Sequence, residues 1–240
     1  MLETKIKQSF PIWVLNLERA RDRRQFMANQ LNELQWQFEI IQAVDGNCLN
    51  AEERKSYSAW QAIKTVKRQL TSGEIGCALS HANLWARMVA ETIEEVLILE
   101  DDVLLTPELM HVLERRHQLP ADWELINFKT DAAKLPFGPP IYTKYRVCHF
   151  QEDANRTCAY LINHKGAKKL CTHVYPIRLA ADGLTGRTAI TKLVSYGIDP
   201  DLVTLADFPS MIRRPRKMQG VRHWLHKLYA SWHKRAVAIS

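Results

Sequence analysis

The sequence has few cysteines, and no two of them stand at the close spacing of a metal-binding or redox pair. The five are odd in number and widely separated: Cys48, Cys77, Cys148, Cys158 and Cys171. A disulfide framework uses an even set of cysteines in a small extracellular domain, and a cysteine-rich zinc site uses C-x-x-C pairs. Neither kind of site is indicated, so we expect buried, reduced thiols.

Long apolar runs are also missing. Runs such as residues 12–15 and 96–99 fall far short of the ~20 residues that span a bilayer, and the N-terminus lacks a signal-peptide pattern. With 240 residues, of which 46% are hydrophobic and 25% charged, the chain can bury a large core in one domain with a small appendage. We therefore expect a cytoplasmic globular protein.

Negative charge is absent from the C-terminal end. No acidic residue follows Asp207, whereas basic residues continue to Arg235, in a chain of net charge +7. An apolar stripe at spacings of three and four crosses this tail: Val221, Trp224, Leu225, Leu228, Tyr229, Trp232 and Ala236. The pattern predicts that residues 211–240 form a basic amphipathic helix on an anionic membrane surface, separate from a domain over residues 1–210. A helix packed on the domain and a coiled coil are the alternatives.

Three consecutive acids follow an apolar run at residues 96–103, VLILEDDV. This run predicts a buried strand with Glu100, Asp101 and Asp102 at its rim, because unpaired charge is costly inside a sheet. Strand side chains alternate, so Glu100 and Asp102 are expected to point to one side and Asp101 to the other. Two converging carboxylates suit Mg²⁺ or Mn²⁺. The alternative is a turn that caps the next helix.

A cluster of arginines follows the first predicted strand, at residues 11–17. The next predicted helix covers residues 19–34, and NLERARDRR joins the two. This junction contains Asn16, Arg19, Arg21, Arg23 and Arg24. Backbone N–H groups and guanidinium groups at such a junction can bind a phosphate or a nucleotide. The alternative is a solvated helix face.

Another predicted helix starts at a capping box. Residues 71–74, TSGE, match the box, and apolar residues continue at helical spacing toward the strand at residue 96. Glu74, Ser80 and His81 lie on this helix. The spacing alone favours a capping role for Glu74 and an ordinary core or surface position for His81, and a binding role for both is the alternative.

Strand and helix patterns alternate in the first half, which includes a second strand at residues 38–44 and a helix at residues 52–69. The alternation predicts βαβ units in a mostly parallel sheet, with ligands outside the C-terminal strand ends. The second half predicts helices at 107–117 and 165–173, strands at 123–128, 141–150 and 158–163, and a loop at 135–140, LPFGPP. The fold class is therefore α/β, with the second half forming the other wall of a cleft.

Six motifs, in order and spacing, resemble glycosyltransferase family 25. They are NLERARDRR, AVDG at 43–46, GEIGCALSH at 73–81, LILEDD at 97–102, AYLINHKGAKKL at 159–170 and the later Asp182. The family includes bacterial lipooligosaccharide galactosyltransferases and the related domain of collagen galactosyltransferases. The resemblance covers about residues 10–210. It implies a GT-A-type, Rossmann-like mixed sheet flanked by helices.

The resemblance also implies an activity, the inverting transfer of a sugar from a UDP donor, usually UDP-galactose. It implies that a metal ion, Mn²⁺ or Mg²⁺, is held by Glu100 and Asp102 of the acidic motif. The residues that it implies near the nucleotide and the donor sugar are Asn16, Arg19, Glu74, His81 and Asp101.

Direct displacement at the anomeric carbon needs a general base that takes the proton of the acceptor hydroxyl. General bases typically raise the reaction rate by ~10²–10⁴-fold. Asp182 occupies the position of the family's later acid, which makes it the implied base. Ala180 and Ala181 precede it where the family usually has Pro-Val or a similar pair. Asp153 is the reserve candidate for the base.

The implied acceptor is a lipid-linked oligosaccharide of the lipopolysaccharide core, made at the cytoplasmic face of the inner membrane. The basic tail would hold the enzyme there as a peripheral membrane protein. Two other classes stay open, a metal-dependent phosphoryl-transfer or phosphatase-like enzyme and a basic binding module without catalysis. Nucleic acid is not an expected partner, because the domain does not interleave basic residues with stacking aromatics.

Overall fold

The computed structural model describes residues 9–208, so the predicted helix at residues 211–240 lies outside the described part of the chain. The strands are β1 (Ile12–Asn16), β2 (Glu39–Gln42), β3 (Glu95–Glu100), β4 (Val103–Leu105), β5 (Leu125–Asn127), β6 (Lys134–Pro136), β7 (Arg146–Phe150), β8 (Ala159–Asn163), β9 (Ser195–Asp199) and β10 (Val203–Leu205). The α-helices are α1 (Arg21–Glu33), α2 (Ala51–Lys55), α3 (Ala59–Val66), α4 (Ser72–Ala90), α5 (Pro107–Glu114), α6 (His164–Val174), α7 (Ala181–Gly186) and α8 (Thr188–Thr191). Among these helices, none has the length and apolar character of a membrane span.

Eight strands form one mixed sheet in the order β2-β1-β3-β8-β5-β9-β7-β6, and β4 pairs with β10 in a separate antiparallel ribbon. The strands β2, β1 and β3 are parallel, as the alternating first half predicts. From β8 onward the directions are mixed, since β8 is antiparallel to both β3 and β5. The α/β fold class and the GT-A-type mixed sheet are therefore confirmed.

Both faces of the sheet are covered by helices. In β3, Leu97 and Leu99 pack into one apolar cluster with Met27 of α1, whereas Val96 and Ile98 pack into the other with Trp85 of α4. All six of these side chains are almost completely buried. The period-two alternation of a strand thus supplies both cores, which explains why β3 is a continuous apolar run.

Two local predictions differ from the structure. The single helix predicted over residues 52–69 is two helices, because Asn50 and Ser58 each accept a backbone N–H bond at the start of a separate helix. The loop predicted over residues 135–140 contains part of β6, where Leu135 pairs with His149 and Pro136 with Cys148. A proline is tolerated there because β6 is the edge strand.

The cysteines also differ from expectation. Cys148 and Cys158 are buried, but Cys48 is exposed, and Cys77 and Cys171 are partly accessible. All five are free thiols, as predicted. The prediction that they are all buried is wrong because their positions are spread over loops and helix faces rather than confined to strand interiors.

Candidate active site

The acids at the end of β3 are held by residues that follow β1. The parallel pairing of these strands places Leu15 beside Glu100, so Asn16 and the start of α1 lie next to the acids. The amide of Asn16 donates to Asp101 Oδ2 at 2.7 Å. Nη1 of Arg23 donates to Asp101 Oδ1 at 2.8 Å and to Asp102 Oδ2 at 3.0 Å. One buried cation therefore serves two adjacent carboxylates.

This arrangement differs from the predicted alternation of Glu100 and Asp102 on one side and Asp101 on the other. The strand ends at Glu100, so Asp101 and Asp102 lie in the following turn and share Arg23. A turn has no period of two, which is why the alternation stops at the last strand residue. The proposed metal roles of Glu100 and Asp102 stay predictions.

Asp102 lacks full compensation for its charge. Within the described residues its Oδ1 atom is buried and has no hydrogen-bond partner. Burial raises the pKa of Asp102 to about 6, the charge of Glu100 adds to the increase, and Arg23 opposes it. An orphaned carboxylate oxygen beside other acids is a place that a cation fits, because an added positive charge would offset both the burial and the repulsion.

Glu100 is held from the other side of the sheet. The hydroxyl of Thr157 donates to Glu100 Oε1 at 3.1 Å, and Nε2 of His81 lies 3.4 Å from the same oxygen. Burial acts to raise the pKa of Glu100, but these two partners and Arg23 outweigh it, so the pKa is lowered. His81 is itself fully buried, and its Nδ1 atom lies 2.8 Å from the Tyr160 hydroxyl.

These groups lie at the base of a cleft with a volume of about 510 Å³. Its walls come from the loop after β2, the start of α4, the segment before β8 and the start of α7. Glu100, Asp101, Asp102, Arg19, Glu74, His81 and Asp182 all line it. The residues predicted from the sequence are therefore brought together, with two exceptions. Asn16 lies beneath Asp101 and does not line the cleft, and neither does Asp153.

The loop after β2 lies directly against α4, and two glycines make this contact possible. A Cβ atom on Gly76 would lie 2.5 Å from the backbone nitrogen of Gly46, and a Cβ atom on Gly46 would overlap the carbonyl of Ser72. Ser80 then accepts a hydrogen bond of 2.8 Å from the backbone nitrogen of Val44. The AVDG and GEIGCALSH motifs thus form one wall of the cleft by backbone packing.

Glu74 has the capping role that its spacing predicts. Its carboxylate accepts from the backbone nitrogen of Thr71 at 2.8 Å, and Thr71 in turn caps the backbone of Glu74. The guanidinium of Arg68 also donates to both carboxylate oxygens. Burial acts to raise the pKa of Glu74, but the bond from Arg68 and the cap lower it overall. A donor-binding role for Glu74 stays a prediction.

Asp182 and Asp153 occupy different environments. Asp182 is exposed at the cleft rim, where its carboxylate accepts from the backbone nitrogen of Gly183 at 2.7 Å. Partial desolvation by the cleft walls raises the pKa of Asp182, and the charges of Glu74 and Glu100 add to this effect. Asp153 does not line the cleft and lies 3.7 Å from Arg187, with a side chain 60% exposed. The geometry therefore favours Asp182 over Asp153.

Of the three arginines that line the cleft, Arg19 and Arg156 have partly exposed side chains, and each is paired with an acid. Arg19 forms an ion pair with Asp45, and Arg156 donates to Asp131 at 2.7 Å. Phe208, which follows β10, packs under the guanidinium of Arg23 with 5.2 Å between carbon and ring centroid. The side chains of Arg19 and Arg156 are both more than a third exposed, so they are available to an anionic ligand.

The sequence analysis did not single out Cys77, Thr157 or Arg156 as site residues, and it did not predict that Arg23 turns inward. The position of Cys77 one helical turn before His81 is a local signal that could have shown they share a face. No local pattern indicates the roles of Thr157 and Arg23, because their partners are distant along the chain.

The comparisons with known proteins identify the family of the chain. The model of "Glycosyltransferase family 25 (LPS biosynthesis protein)" matches residues 10–185. The chain is 35% identical over 172 residues to a glycosyltransferase 25 family member of Aedes aegypti, and 32% identical over 170 residues to procollagen galactosyltransferase 2 of Homo sapiens. Each alignment covers 66% of this chain but 27% of the relative, so the chain spans about a quarter of their length.

Among solved structures, the chain is similar to a glycosyltransferase involved in the glycosylation of the major capsid of PBCV-1. The TM-score is 0.35 at 10% sequence identity, over 69% of this chain and 66% of the other. A likeness this weak carries no argument, so the assignment of the chain to a family rests on the family model and the sequence relatives.

Proposed function

The chain belongs to glycosyltransferase family 25, and on this premise we propose that it transfers a sugar from a UDP-sugar donor to an oligosaccharide acceptor. The observation that carries the proposal is the cluster of acids at the base of the cleft. There Asp102 presents a buried oxygen that has no hydrogen-bond partner among residues 9–208, beside Glu100 and within the walls that the family motifs form. A nucleotide-sugar site with a bound divalent cation fits this arrangement.

In the proposed site, Glu100 and Asp102 would hold Mn²⁺ or Mg²⁺, since both offer the oxygen atoms that these ions prefer. A bound divalent cation would stabilise the negative charge that develops on the departing UDP. Asp101 has a different task, because both of its oxygens are occupied by Asn16 and Arg23. It anchors the acidic turn to α1 and so fixes the position of Asp102.

The residues around the acids would bind and orient the donor. Arg19 and Arg156 line the cleft with exposed guanidinium groups that suit a diphosphate. Their ion pairs with Asp45 and Asp131 keep both groups at the cleft mouth before the donor arrives. Cleft walls built by glycine packing let the backbone of residues 43–47 approach the donor closely.

Asp182 is the proposed general base. It stands at the rim, where an acceptor would enter, and its raised pKa makes it a stronger base than an ordinary aspartate. The proton of the attacking hydroxyl would pass to its carboxylate as the hydroxyl oxygen bonds to the anomeric carbon. An attack from the face opposite UDP gives inversion, and this is the stereochemistry that we propose.

The names of the relatives support galactose as the transferred sugar and leave two kinds of acceptor. The human relative is a procollagen galactosyltransferase, and the family description is that of an LPS biosynthesis protein. For this chain we propose the lipopolysaccharide core, a lipid-linked oligosaccharide, as the acceptor. The basic, amphipathic pattern of residues 211–240 supports this choice, because a membrane-bound acceptor favours a peripheral enzyme on the cytoplasmic face of the inner membrane.

A donor-hydrolysis screen tests the proposal. UDP release would be measured for UDP-galactose, UDP-glucose and UDP-N-acetylhexosamines, each with Mn²⁺, with Mg²⁺ and with a chelator. We expect hydrolysis of UDP-galactose above the others, dependent on the metal and lost in Asp102→Asn. The matched control is Glu114→Gln on α5, whose carboxylate contacts only neighbouring side chains of its own helix end among the described residues. No hydrolysis of any UDP-sugar, or equal loss in both variants, would contradict the proposal.

A further inference from the structure

One cluster of side chains in the cleft has a composition different from that of the acidic turn. Cys77 and His81 stand four residues apart on α4, a spacing that places two side chains one above the other on the same helix face. Glu100, at the end of β3, meets this face. The thiol sulfur, an imidazole nitrogen and a carboxylate oxygen of these residues lie within 4.8 Å of one another.

The distances agree with a tetrahedral metal site. Zn²⁺ binds nitrogen and oxygen at about 2.0–2.1 Å, so two such ligands at a tetrahedral angle stand about 3.3–3.4 Å apart. Nε2 of His81 and Oε1 of Glu100 are separated by 3.4 Å. One edge of the tetrahedron is therefore already formed, and the sulfur of Cys77, which lies within 4.8 Å of the other two ligand atoms, would complete the site after a shift on the order of 1–1.5 Å.

The histidine is oriented by a second layer of contacts. Its Nδ1 atom lies 2.8 Å from the hydroxyl of Tyr160, and the indole of Trp85 donates to the same hydroxyl at 3.0 Å. A histidine that binds a metal through one nitrogen is usually held by a hydrogen bond at the other nitrogen. The oxygen of Tyr160 can accept from Trp85 and from His81 together, which leaves Nε2 free to coordinate.

We propose that Cys77, His81 and Glu100 form a binding site for Zn²⁺, with a fourth position open to the cleft. The donor set distinguishes it from the acidic turn, because sulfur and imidazole ligands favour zinc whereas an all-oxygen set favours Mg²⁺ or Mn²⁺. The two sites share Glu100, so zinc removes one oxygen ligand from the other ion. Zinc binding needs no sugar donor or acceptor, and it goes beyond the proposed function.

Cobalt substitution tests the site directly, since Co²⁺ takes the same ligands as zinc and reports a bound thiolate by a charge-transfer absorption in the near ultraviolet. Co²⁺ would be titrated into the full chain without a sugar donor. We expect one thiolate band at one equivalent, which Zn²⁺ removes by displacing the cobalt. Absence of this band from the wild-type chain would overturn the proposal without any variant.

Variants identify the ligands. Cys77→Ala is expected to lose the band. Its Zn²⁺ affinity, measured by calorimetry, is expected to fall by at least about tenfold, because even the loss of a residue that only hydrogen-bonds to a metal ligand lowers affinity by that much. Cys48→Ala, which removes an exposed thiol outside the cleft, is the matched control and keeps the band. Circular dichroism would verify that each variant is folded.

One further variant separates this site from the proposed Mn²⁺ site. Asp102→Asn is expected to keep the cobalt band, because Asp102 belongs to the acidic turn and not to the cysteine cluster. Loss of the band in Asp102→Asn with retention in Cys77→Ala would overturn the zinc site. Failure of the UDP-sugar screen would leave the cobalt result unaffected, so the two proposals fail independently.

Discussion

The guanidinium of Arg23 lies 2.8 Å from the carboxylate of Asp101, and both side chains are about 90% buried. The pair joins α1 to the turn after β3. A buried pair of this kind is costly to break, because removing one partner leaves the other charge in a poorly solvated position. Arg23 therefore supplies the buried counter-charge for Asp101 and Asp102 in the folded protein.

Arg23→Met is expected to lower the free energy of unfolding by about 3–5 kcal/mol, the usual effect of removing one member of a buried ion pair. Urea unfolding followed by circular dichroism would measure the change. Arg24→Met is the control, since Arg24 is the exposed neighbour on the same helix and surface substitutions usually stay within about 0.5 kcal/mol. Similar losses in the two variants would refute the structural role of Arg23.

Asp102→Asn is expected to stabilise the metal-free protein at neutral pH. The pKa of Asp102 is raised from 3.8 to about 6 by folding, so the folded chain holds this proton more tightly than the unfolded chain. The carboxylate imposes no cost below pH 3.8, a growing cost as the pH rises, and its full cost above pH 6. That cost is at most about 3 kcal/mol at pH 7.

The test is a series of unfolding curves for wild type and Asp102→Asn between pH 4 and pH 8 with a chelator present. The two curves should nearly coincide at the acidic end and separate as the pH rises through the folded pKa of about 6. Added Mn²⁺ should stabilise the wild type alone. If the difference in the free energy of unfolding between the two proteins were the same at every pH, folding would not raise the pKa of Asp102.

Asp182→Asn is expected to lower kcat for transfer by about 10²–10⁴-fold and to leave the KM for the donor nearly unchanged. The reason is that a base acts only when the acceptor hydroxyl is attacked. Steady-state kinetics with the donor varied at fixed acceptor would give both constants. Asp153→Asn is the control and should keep normal kcat. A large increase in donor KM in Asp182→Asn would instead place Asp182 in the nucleotide site.

Gly76→Ala is expected to destabilise the protein by about 1–3 kcal/mol, because the new methyl group meets the backbone of Val44 and Gly46. An alanine in a helix interior ordinarily stabilises by up to about 1 kcal/mol relative to glycine, so the sign of the change is informative. Gly183→Ala is the control, since its added carbon lies at 3.4 Å from the side chain of Leu179. Thermal unfolding of the wild type and of the two variants would measure the sign and size of each change in stability.

Truncation after Arg213 is expected to abolish binding to liposomes that contain anionic lipids, while activity on a soluble acceptor continues. The expectation rests on the basic charge and apolar stripe of the removed segment. Co-sedimentation with anionic and with neutral liposomes would measure the binding. Unchanged binding, or unfolding of the shortened chain, would favour a helix packed on the domain.

The parts of the fold that could be predicted depend on local patterns. The apolar run before Glu100 predicts β3, and the spacing of Thr71 and Glu74 predicts the start of α4, because in both cases the interacting residues are neighbours in sequence. The edge strand β6 could not be predicted, because Leu135 becomes a strand residue only through pairing with His149. Its prolines favoured a loop on local grounds.

The same limit applies to the site. The family motifs located the acids and Asp182, but a sequence does not show which way a side chain turns when its partner is distant. Arg23 turns inward because it pairs with Asp101, which follows it by 78 residues. Cys77 joins Glu100 only because α4 crosses the end of β3. Such juxtapositions follow from the packing of helices on the sheet.

The pairing of β1 with β3 also makes the site depend on contacts between distant parts of the chain. Asn16 and Asp101 are 85 residues apart, and parallel pairing across such a separation is slow because the intervening chain must first be closed into a loop. Before that step, Glu100, Asp101 and Asp102 are solvated neighbours with no buried counter-charge. A donor that needs the completed cluster can bind only the folded state, so by mass action its presence raises the free energy of unfolding.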